Sequence, residues 1–398
     1  MTAATAELQV ILPLPTEVPG EHQVRLTRKA LTGMEAYQRL WQGPLRMVLP
    51  ASSARAQNLD EEVFDTRQLP FAIDVLDLGS PALRERVRTA SVVVNTPNPS
   101  SAGLASYCKQ LGVPYVLNTE YTLRTRWQIA RAEMQAGPRL LRRLVWEAEH
   151  ELRTLREVAL ASAIQCNGTP TYRAYRPFNR NALLYFDTRT TESMLATTEH
   201  MRARAARRAG GEPLRLAFSG RLNAMKGADD LPKVAKALRA SGVPFHLDIC
   251  GAGPLEAEMR REVEREGLAS CVTFRGILDF ETELTPLMRD EIDLFVCCHR
   301  QGDPSCTYLE TFACGVPIVG YANEAFSGLL GHVRGGEGVA IGDVQGLTDV
   351  IGRLARPEAC VRLETMGLAA LDFARLHTFE ATFERRIEHF RSVACPRA

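Results

Sequence analysis

The sequence lacks any apolar stretch that approaches the ~20 residues a membrane-spanning helix needs. Residues 1–15 also lack a basic leader ahead of their short apolar run, so they predict no signal peptide. The formal net charge is only +1, which gives no indication of a nucleic-acid partner. From these absences we expect a soluble cytoplasmic protein that does not bind nucleic acid.

The ten cysteines form no C-x-x-C pair and follow no regular spacing. They therefore do not indicate a disulfide framework or a zinc site. Several of them, including Cys250, Cys271, Cys297 and Cys314, fall inside predicted strands or helices, where a free cysteine behaves as a small apolar residue. We expect cysteines of the core and no bound metal.

The 398 residues are 45% hydrophobic and 24% charged, and this length favours two α/β domains over a single core. Short apolar runs alternate with longer amphipathic segments, a pattern typical of parallel sheets with crossover helices. The predicted strands are 8–14, 45–50, 72–78, 91–95, 114–117, 162–166, 182–186, 214–219, 245–250, 271–274, 292–297, 317–320 and 338–341.

The weakest periodicity lies in residues 188–213, where we place the linker between the domains. This predicts Rossmann-like domains over 1–200 and 201–375 and a tail over 376–398. The tail carries apolar residues at helical spacing, so we expect it to pack on the body. These residues are Phe379, Phe383, Ile387 and Phe390.

The first candidate binding motif runs from a predicted strand into a glycine turn. Gly220 is followed by Arg221, and Lys226 comes just before a predicted helix. A helix N-terminus with two cations beside it suits a diphosphate, although cations at a helix start are often only solvated.

A second strand leads into Gly251 and Gly253. Glycine lets a backbone approach a ligand closely, but a lone Gly-x-Gly also serves a tight turn. The third glycine of a dinucleotide fingerprint is absent because position 256 is Glu. This disfavours a nicotinamide-dependent enzyme.

The third motif, residues 302–317, follows the predicted strand 292–297. Ser305 and Thr307 are suited to cap a short helix whose N–H groups face a ligand. Glu310 can accept hydrogen bonds from ribose hydroxyls, or it can simply complement the dipole of its helix.

The motifs occur as Gly220-Arg221 with Lys226-Gly227, then Gly251-Ala252-Gly253-Pro254, then Leu309-Glu310 followed by Cys314-Gly315-Val316-Pro317. In this order and spacing they resemble the retaining glycosyltransferases of family 4, the glycosyl transferases group 1. The match is specific over about residues 214–330 and looser elsewhere, including 95–121. The resemblance implies the GT-B fold, with two Rossmann-like domains that face a cleft and no required metal.

The resemblance also implies roles for individual residues. The N-terminal domain would bind the acceptor and the C-terminal domain the nucleotide sugar, a UDP-sugar in preference to a GDP-sugar, without a further cofactor. Arg221 and Lys226 would hold the donor diphosphate, Glu310 the ribose, and Ile277 would lie near the base. The remaining donor-binding candidates are Gly20, Gly220, Gly251, Gly253, Asp303, Ser305, Cys306 and Thr307.

Two positions depart from the family pattern. The first glutamate of Glu-x7-Glu is missing, because position 302 is Gly; Asp303 is the expected substitute. Glu120 stands where the family usually has an active-site His at a strand end. A carboxylate there could bind a sugar hydroxyl or stabilise positive charge at the anomeric carbon, or it could be merely solvated. With Arg221, Lys226 and Asp303, Glu120 completes the catalytic candidates.

Residues 121–186 contain eleven Arg and five Glu but no Lys or Asp, with Trp127 and Trp146 among them. A stripe at helical spacing predicts either a core face or, with the arginines, peripheral contact with an anionic membrane. The arginines could also bind an acidic acceptor. The stripe consists of Leu141, Val145, Ala148, Leu152, Leu155 and Ala159.

We therefore expect a retaining glycosyltransferase that moves a hexose-type sugar from a nucleotide diphosphate sugar to a hydroxyl of a lipid or glycan in cell-envelope glycoconjugate synthesis. The alternatives are a GT-B sugar-nucleotide epimerase, a GT-B protein that binds a nucleotide sugar without turnover, and, least favoured, a nicotinamide-dependent oxidoreductase.

Overall fold

The structure is a computed structural model that describes residues 6–52 and 61–394. Within these residues the strands form two parallel sheets and a short antiparallel pair. In chain order they are β1 (Leu8–Ile11), β2 (Gln23–Thr27), β3 (Leu45–Leu49), β4 (Glu61–Asp65), β5 (Ala72–Val75), β6 (Val92–Asn95), β7 (Tyr115–Thr119), β8 (Ala163–Asn167), β9 (Ala182–Tyr185), β10 (Leu214–Ser219), β11 (Phe245–Cys250), β12 (Val272–Gly276), β13 (Leu294–Cys297), β14 (Ile318–Tyr321) and β15 (Gly336–Val339).

The α-helices cover the faces of the sheets or connect their strands. They are α1 (Arg28–Trp41), α2 (Pro81–Val87), α3 (Leu104–Leu111), α4 (Leu123–Glu133), α5 (Pro138–Leu160), α6 (Gly168–Tyr175), α7 (Thr198–Ala209), α8 (Leu231–Ala240), α9 (Glu256–Arg265), α10 (Thr285–Asp290), α11 (Thr307–Ala313), α12 (Glu324–Leu330), α13 (Val344–Leu354), α14 (Cys360–Arg375) and α15 (Phe379–Val393).

The two parallel sheets contain seven and six strands. Their orders are β5-β3-β1-β6-β7-β8-β9 and β12-β11-β10-β13-β14-β15. Strands such as β1, β6 and β13 are buried at every residue, because helices cover both faces of a parallel sheet. Each strand of the two sheets overlaps one that the sequence predicts, which confirms the α/β class.

The antiparallel pair β2 and β4 was not predicted. The helix α1 begins directly after β2, and the Thr27 side chain accepts a hydrogen bond from the Ala30 N–H at 3.2 Å. Val24 and Leu26 are buried while Gln23, Arg25 and Thr27 are not, which is the two-residue period of a strand. The strand has only five residues and is followed directly by a helix, so its two-residue period is hard to recognise in the sequence.

The predicted linker, residues 188–213, contains the helix α7. Arg204, on this helix, is buried and donates to the carbonyls of Ile292 and Gly315 at 2.8 and 2.9 Å. These bonds compensate the burial of a charged group. The domain limits at 200 and 375 remain predictions.

The apolar stripe of α5 is a core face only near Leu155, which is partly buried against the core of the first sheet. Leu141, Val145 and Leu152, here called the exposed stripe, are 65%, 52% and 69% exposed. The buried side of the helix is largely polar because its side chains form ion pairs and hydrogen bonds with other helices. Glu147 pairs with Arg126 at 2.9 Å, and the Glu157 carboxylate accepts hydrogen bonds from the N–H groups of Gly103 and Ala105 at the start of α3.

The last helix, α15, returns to the first sheet and packs against α1. Phe383 and Phe390 are buried, and their ring centroids lie 4.9 and 5.7 Å from that of Tyr37. Arg386 donates to Gln165 Oε1 at 2.8 Å and lies over the Tyr185 ring. The end of the chain therefore contributes to the core of the first sheet.

Most cysteines of the described segments are buried, as expected, but Cys306 lies between the two sheets. In residues 6–52 and 61–394, no group of His, Cys, Asp and Glu is arranged to hold a metal ion. Over the same residues no helix combines the length and apolarity that crossing a membrane requires.

Candidate active site

Residues at the carboxyl ends of strands in the two sheets contact one another. Asp187, just after β9, accepts a hydrogen bond from Cys306 Sγ at 3.3 Å and from Lys29 Nζ at 2.7 Å. Further along, the N–H of Gly302 donates to Gln128 Oε1 at 3.0 Å. Ligand crevices of parallel α/β sheets lie at these strand ends, so this cleft is the candidate site.

Lys226 and Asp303 meet in the cleft. Lys226 Nζ lies 3.0 Å from Asp303 Oδ2 and donates to Ser305 Oγ at 3.4 Å. The turn of Gly227 makes this possible, because a Cβ at that position would lie 2.0 Å from the carbonyl oxygen of Cys298. Lys226, predicted to bind the diphosphate, therefore lies beside Asp303, predicted to bind the donor sugar. Arg221 is exposed on the preceding turn.

The glycines of the second motif serve the packing of two turns. A Cβ on Gly251 would lie 2.0 Å from the carbonyl oxygen of Gly220, and one on Gly253 would lie 2.5 Å from that of Leu222. Gly251 also has a φ of +130°, which L residues rarely adopt. The fold alone requires these glycines, so their contact with a donor stays a prediction.

Ser305 and Thr307 do not cap a helix as expected. The helix α11 starts after Cys306, whose φ of −53° and ψ of −30° are already helical, and its N-terminus has no side-chain cap. The Ser305 hydroxyl instead donates to Thr307 Oγ1 at 3.2 Å. Ser305 lies in the loop that carries Asp303, and Thr307 is the first residue of α11.

Gly302 has little room for the glutamate that the family usually carries there. A Cβ at this position would lie 3.1 Å from Glu324 Oε2 and 3.4 Å from Thr125 Oγ1. Helix α4 thus occupies part of the space near the first glutamate position. The carboxylate of Asp303, one residue on, is the one that reaches Lys226.

Glu310 is 11% exposed and accepts a hydrogen bond from Arg189 Nε at 2.9 Å. The Arg189 guanidinium lies 4.0 Å from the centroid of the Phe280 ring. Ile277 follows β12 and is 62% exposed, so it is accessible as a surface for a base. Gly20 makes a local turn with Gln23, and its described contacts do not join it to the cleft residues.

Glu120, immediately after β7, is reached by solvent but is surrounded by other groups of the cleft. Desolvation and the nearby charge of Asp187 raise the pKa of Glu120 to about 7, although Lys29 acts against them. Desolvation also disfavours the ionised form of Asp187, but Lys29 outweighs it and lowers the pKa of Asp187. The pair therefore combines one carboxylate that stays ionised with one that titrates near neutrality.

Sequence reasoning missed Lys29, Asp187 and Arg189. Asp187 follows a predicted strand, so the argument that selected Glu120 would also have found it. Lys29 is the second residue of α1, where no sequence pattern indicated a functional residue. Arg189 lies in the segment that we interpreted as a linker, and no pattern there indicated a contact with Glu310.

Residues 213–356 match the sequence model of the family described as Glycosyl transferases group 1. The matched segment contains Arg221, Lys226, Asp303 and Glu310, and the match confirms the predicted resemblance to this family. Membership of family 4 in particular remains a prediction.

Curated relatives are similar over part of their length. The 2-deoxystreptamine N-acetyl-D-glucosaminyltransferase of Streptomyces fradiae is 31% identical over 183 residues, 46% of this chain and 42% of that protein. The amylovoran biosynthesis glycosyltransferase AmsK of Erwinia amylovora is 29% identical over 156 residues, 38% of each chain. The chain thus spans about two fifths of the length of these relatives.

Solved structures are similar over nearly the whole chain. Anabaena Alr3699/HepE in complex with UDP has a TM-score of 0.64 at 14% identity and covers 97% of this chain and 99% of its own. WaaG, a glycosyltransferase involved in lipopolysaccharide biosynthesis, has a TM-score of 0.59 at 12% identity, with 96% and 98% covered. The fold is GT-B, with two Rossmann-like domains, as predicted.

Proposed function

We propose that this protein is a retaining glycosyltransferase that transfers a hexose-type sugar from a nucleotide diphosphate sugar to a hydroxyl in glycoconjugate biosynthesis. The observation that carries the proposal is the contact of Lys226 with Asp303 inside residues 213–356, which match the Glycosyl transferases group 1 model and also contain Glu310. Curated relatives named as glycosyltransferases support it.

In the proposed reaction, the bond between the anomeric carbon and the diphosphate oxygen breaks, and the acceptor oxygen bonds to the same face of that carbon. Arg221 and Lys226 stabilise the charge that develops on the leaving diphosphate. Asp303 holds Lys226 in the cleft before the donor arrives. Glu120 binds a sugar hydroxyl or stabilises positive charge at the anomeric carbon.

We propose a UDP-sugar as donor, in preference to a GDP-sugar, and no metal or other cofactor. Structures of HepE in complex with UDP and with UDP-glucose support the choice of UDP for the first experiments. The acceptor would bind at the N-terminal half, on the side of the cleft that carries Glu120 and Asp187.

A first experiment measures calorimetric binding of UDP-, GDP-, ADP- and dTDP-sugars and of NADH, followed by donor hydrolysis with and without EDTA. We expect one nucleotide sugar to bind and to be hydrolysed slowly at a rate that EDTA does not change. Binding without hydrolysis or transfer would favour the non-catalytic alternative, conversion of the sugar without an acceptor the epimerase, and binding of NADH alone the oxidoreductase.

Lys226→Ala tests the assignment of the leaving-group site. Removal of a preorganised charge should lower turnover at least about a hundredfold. The matched control is Lys236→Ala, because Lys236 lies on α8 and pairs with Glu266 at 2.9 Å, outside the cleft. Unchanged turnover in a folded Lys226→Ala variant would contradict the assignment of Lys226 to the leaving-group site.

We also propose that the acceptor is a lipid or glycan and that the protein acts at the cytoplasmic face of an anionic membrane. The exposed stripe of α5, with Trp146 39% exposed beside it, supports this contact. The same helix carries exposed arginines that suit anionic headgroups. They are Arg139, Arg142, Arg153 and Arg156.

Co-sedimentation with vesicles that contain or lack anionic lipid tests the membrane contact. Burial of one leucine contributes about 1.5–3 kcal/mol, so Leu141→Glu with Leu152→Glu should weaken vesicle binding more than tenfold. Val361→Glu is the control, because Val361 is 74% exposed on α14. Equal vesicle binding by the double variant and the control would exclude the exposed stripe as the membrane contact. A protein that does not bind vesicles but forms a dimer through the exposed stripe would exclude it as well.

A further inference from the structure

Arg189 connects two parts of the candidate nucleotide site. It lies on the segment between the two sheets, two residues after Asp187, and its Nε donates to Glu310 Oε1 at 2.9 Å. Its guanidinium also lies 4.0 Å from the centroid of the Phe280 ring. The arginine is therefore held on one side by a carboxylate and on the other by an aromatic face.

The hydrogen bond leaves Glu310 with a defined orientation. A glutamate side chain has three rotatable bonds, and its placement against one ligand costs conformational entropy unless another group holds it. Arg189 takes Oε1, so Oε2 remains to accept from a ligand. At 11% exposure the Glu310 side chain is partly desolvated, which strengthens a charge-assisted bond.

Phe280 belongs to the short turn Phe280–Leu284, which begins three residues after Ile277. The stack therefore ties the segment expected near the base to the carboxylate expected at the ribose. A lysine could neutralise Glu310, but its compact ammonium cannot offer the same planar surface to Phe280.

We propose that Arg189 is a positioning residue for the nucleotide, which acts by orienting Glu310 toward the ribose and by fixing the Phe280 turn beside it. The inference rests on the proposed function, since it assumes that a nucleotide occupies this side of the cleft. In the opposite role, Arg189 would occupy the ribose position and would have to move away before the nucleotide binds. Removal of its side chain would then strengthen nucleotide binding instead of weakening it.

The test is a double-mutant cycle on the full chain, with UDP and GDP as the calorimetric probes. We expect Arg189→Ala to weaken binding of the better probe about tenfold, or ~1.4 kcal/mol. In a Glu310→Ala background the same change should weaken it by less than about threefold, because Arg189 would then have no carboxylate to orient. Arg189→Lys should fall between wild type and Arg189→Ala.

Kinetic measurements give a second test, because a purely structural role for Arg189 would not change KM alone. Arg189→Ala should raise the KM for donor hydrolysis and leave kcat within about twofold, because ribose contacts are the same in the ground and transition states. Arg202→Ala is the matched control, since Arg202 is an exposed arginine on α7. Thermal unfolding verifies that each variant is folded.

The outcomes separate the two proposals. If wild type binds neither UDP nor GDP, the proposed function and this inference fail together. If wild type binds but Arg189→Ala binds equally well or more tightly, only the inference is overturned. It is also overturned if the Arg189→Ala and Glu310→Ala losses are additive.

Discussion

The charge of Glu120 depends on its surroundings. This residue directly follows β7, where an active-site residue of a parallel sheet is expected. Desolvation raises its pKa most, Asp187 and Asp303 raise it further, and Lys29 lowers it. A pKa of about 7 in place of 4.5 means that the carboxyl changes charge near neutrality.

The first prediction concerns activity as a function of pH. If the ionised form of Glu120 stabilises charge at the anomeric carbon, kcat should rise as pH increases through about 7. Glu120→Gln should remove this rise and lower kcat more than tenfold at pH 8, a loss above ~1.4 kcal/mol. Glu133→Gln, on the exposed side of α4, is the control. A loss of kcat below tenfold would mean that Glu120 is only a solvated residue at the strand end.

The same pKa has a consequence for stability that does not require a substrate. The folded pKa lies above the unfolded value, so the folded protein binds a proton more tightly between pH 4.5 and about 7. The contribution of Glu120 to stability is present at low pH and is lost as pH rises through about 7. Glu120→Gln should therefore raise the Tm at pH 8 relative to wild type, and by less at pH 5.

Among the secondary-structure elements, those with a long and regular pattern were predictable. Buried strands such as β10 and β11 appear as apolar runs because both of their faces are covered. The exposed stripe of α5 shows the limit of this reasoning, since periodicity reveals an apolar face but not which face is buried. The buried face of α5 is polar because Glu147 and Glu157 have specific partners elsewhere in the chain.

The site could be predicted where it depends on local sequence and not where it depends on assembly. Lys226 and Glu310 were found from glycine turns and a helix start, which are local. The pairing of Lys226 with Asp303 joins residues 77 positions apart, and that of Arg189 with Glu310 joins residues 121 apart. The first contact arises because β10 and β13 are neighbours in the second sheet, and the second because the segment between the sheets packs against α11. No short motif encodes either arrangement.

A further prediction concerns α15, which completes the core of the first sheet. Phe390 is fully buried, so Phe390→Ala should destabilise the protein by about 3–5 kcal/mol through lost burial and a cavity. Phe178→Ala is the control, because that ring is 52% exposed. Denaturant unfolding measures both variants; equal stability would mean that α15 does not belong to this core.

At the scale of the whole molecule, α4 connects the two halves. Arg124 pairs with Glu324 at 2.6 Å, and Gln128 accepts a hydrogen bond from the N–H of Gly302 at 3.0 Å. Both contacts join the N-terminal half to the loop and helix that flank Asp303. The position of the donor-sugar loop is therefore coupled to the position of the N-terminal half.

The last prediction follows from this coupling. Arg124→Ala with Gln128→Ala removes two contacts across the cleft but no residue proposed to touch the donor. A looser cleft admits water, so donor hydrolysis should increase relative to transfer, while UDP binding should change less than about threefold. Arg131→Ala is the control, since Arg131 lies on the same helix and is exposed. The ratio of hydrolysis to transfer is the decisive measurement, because a general loss of stability would lower both rates together and leave that ratio unchanged.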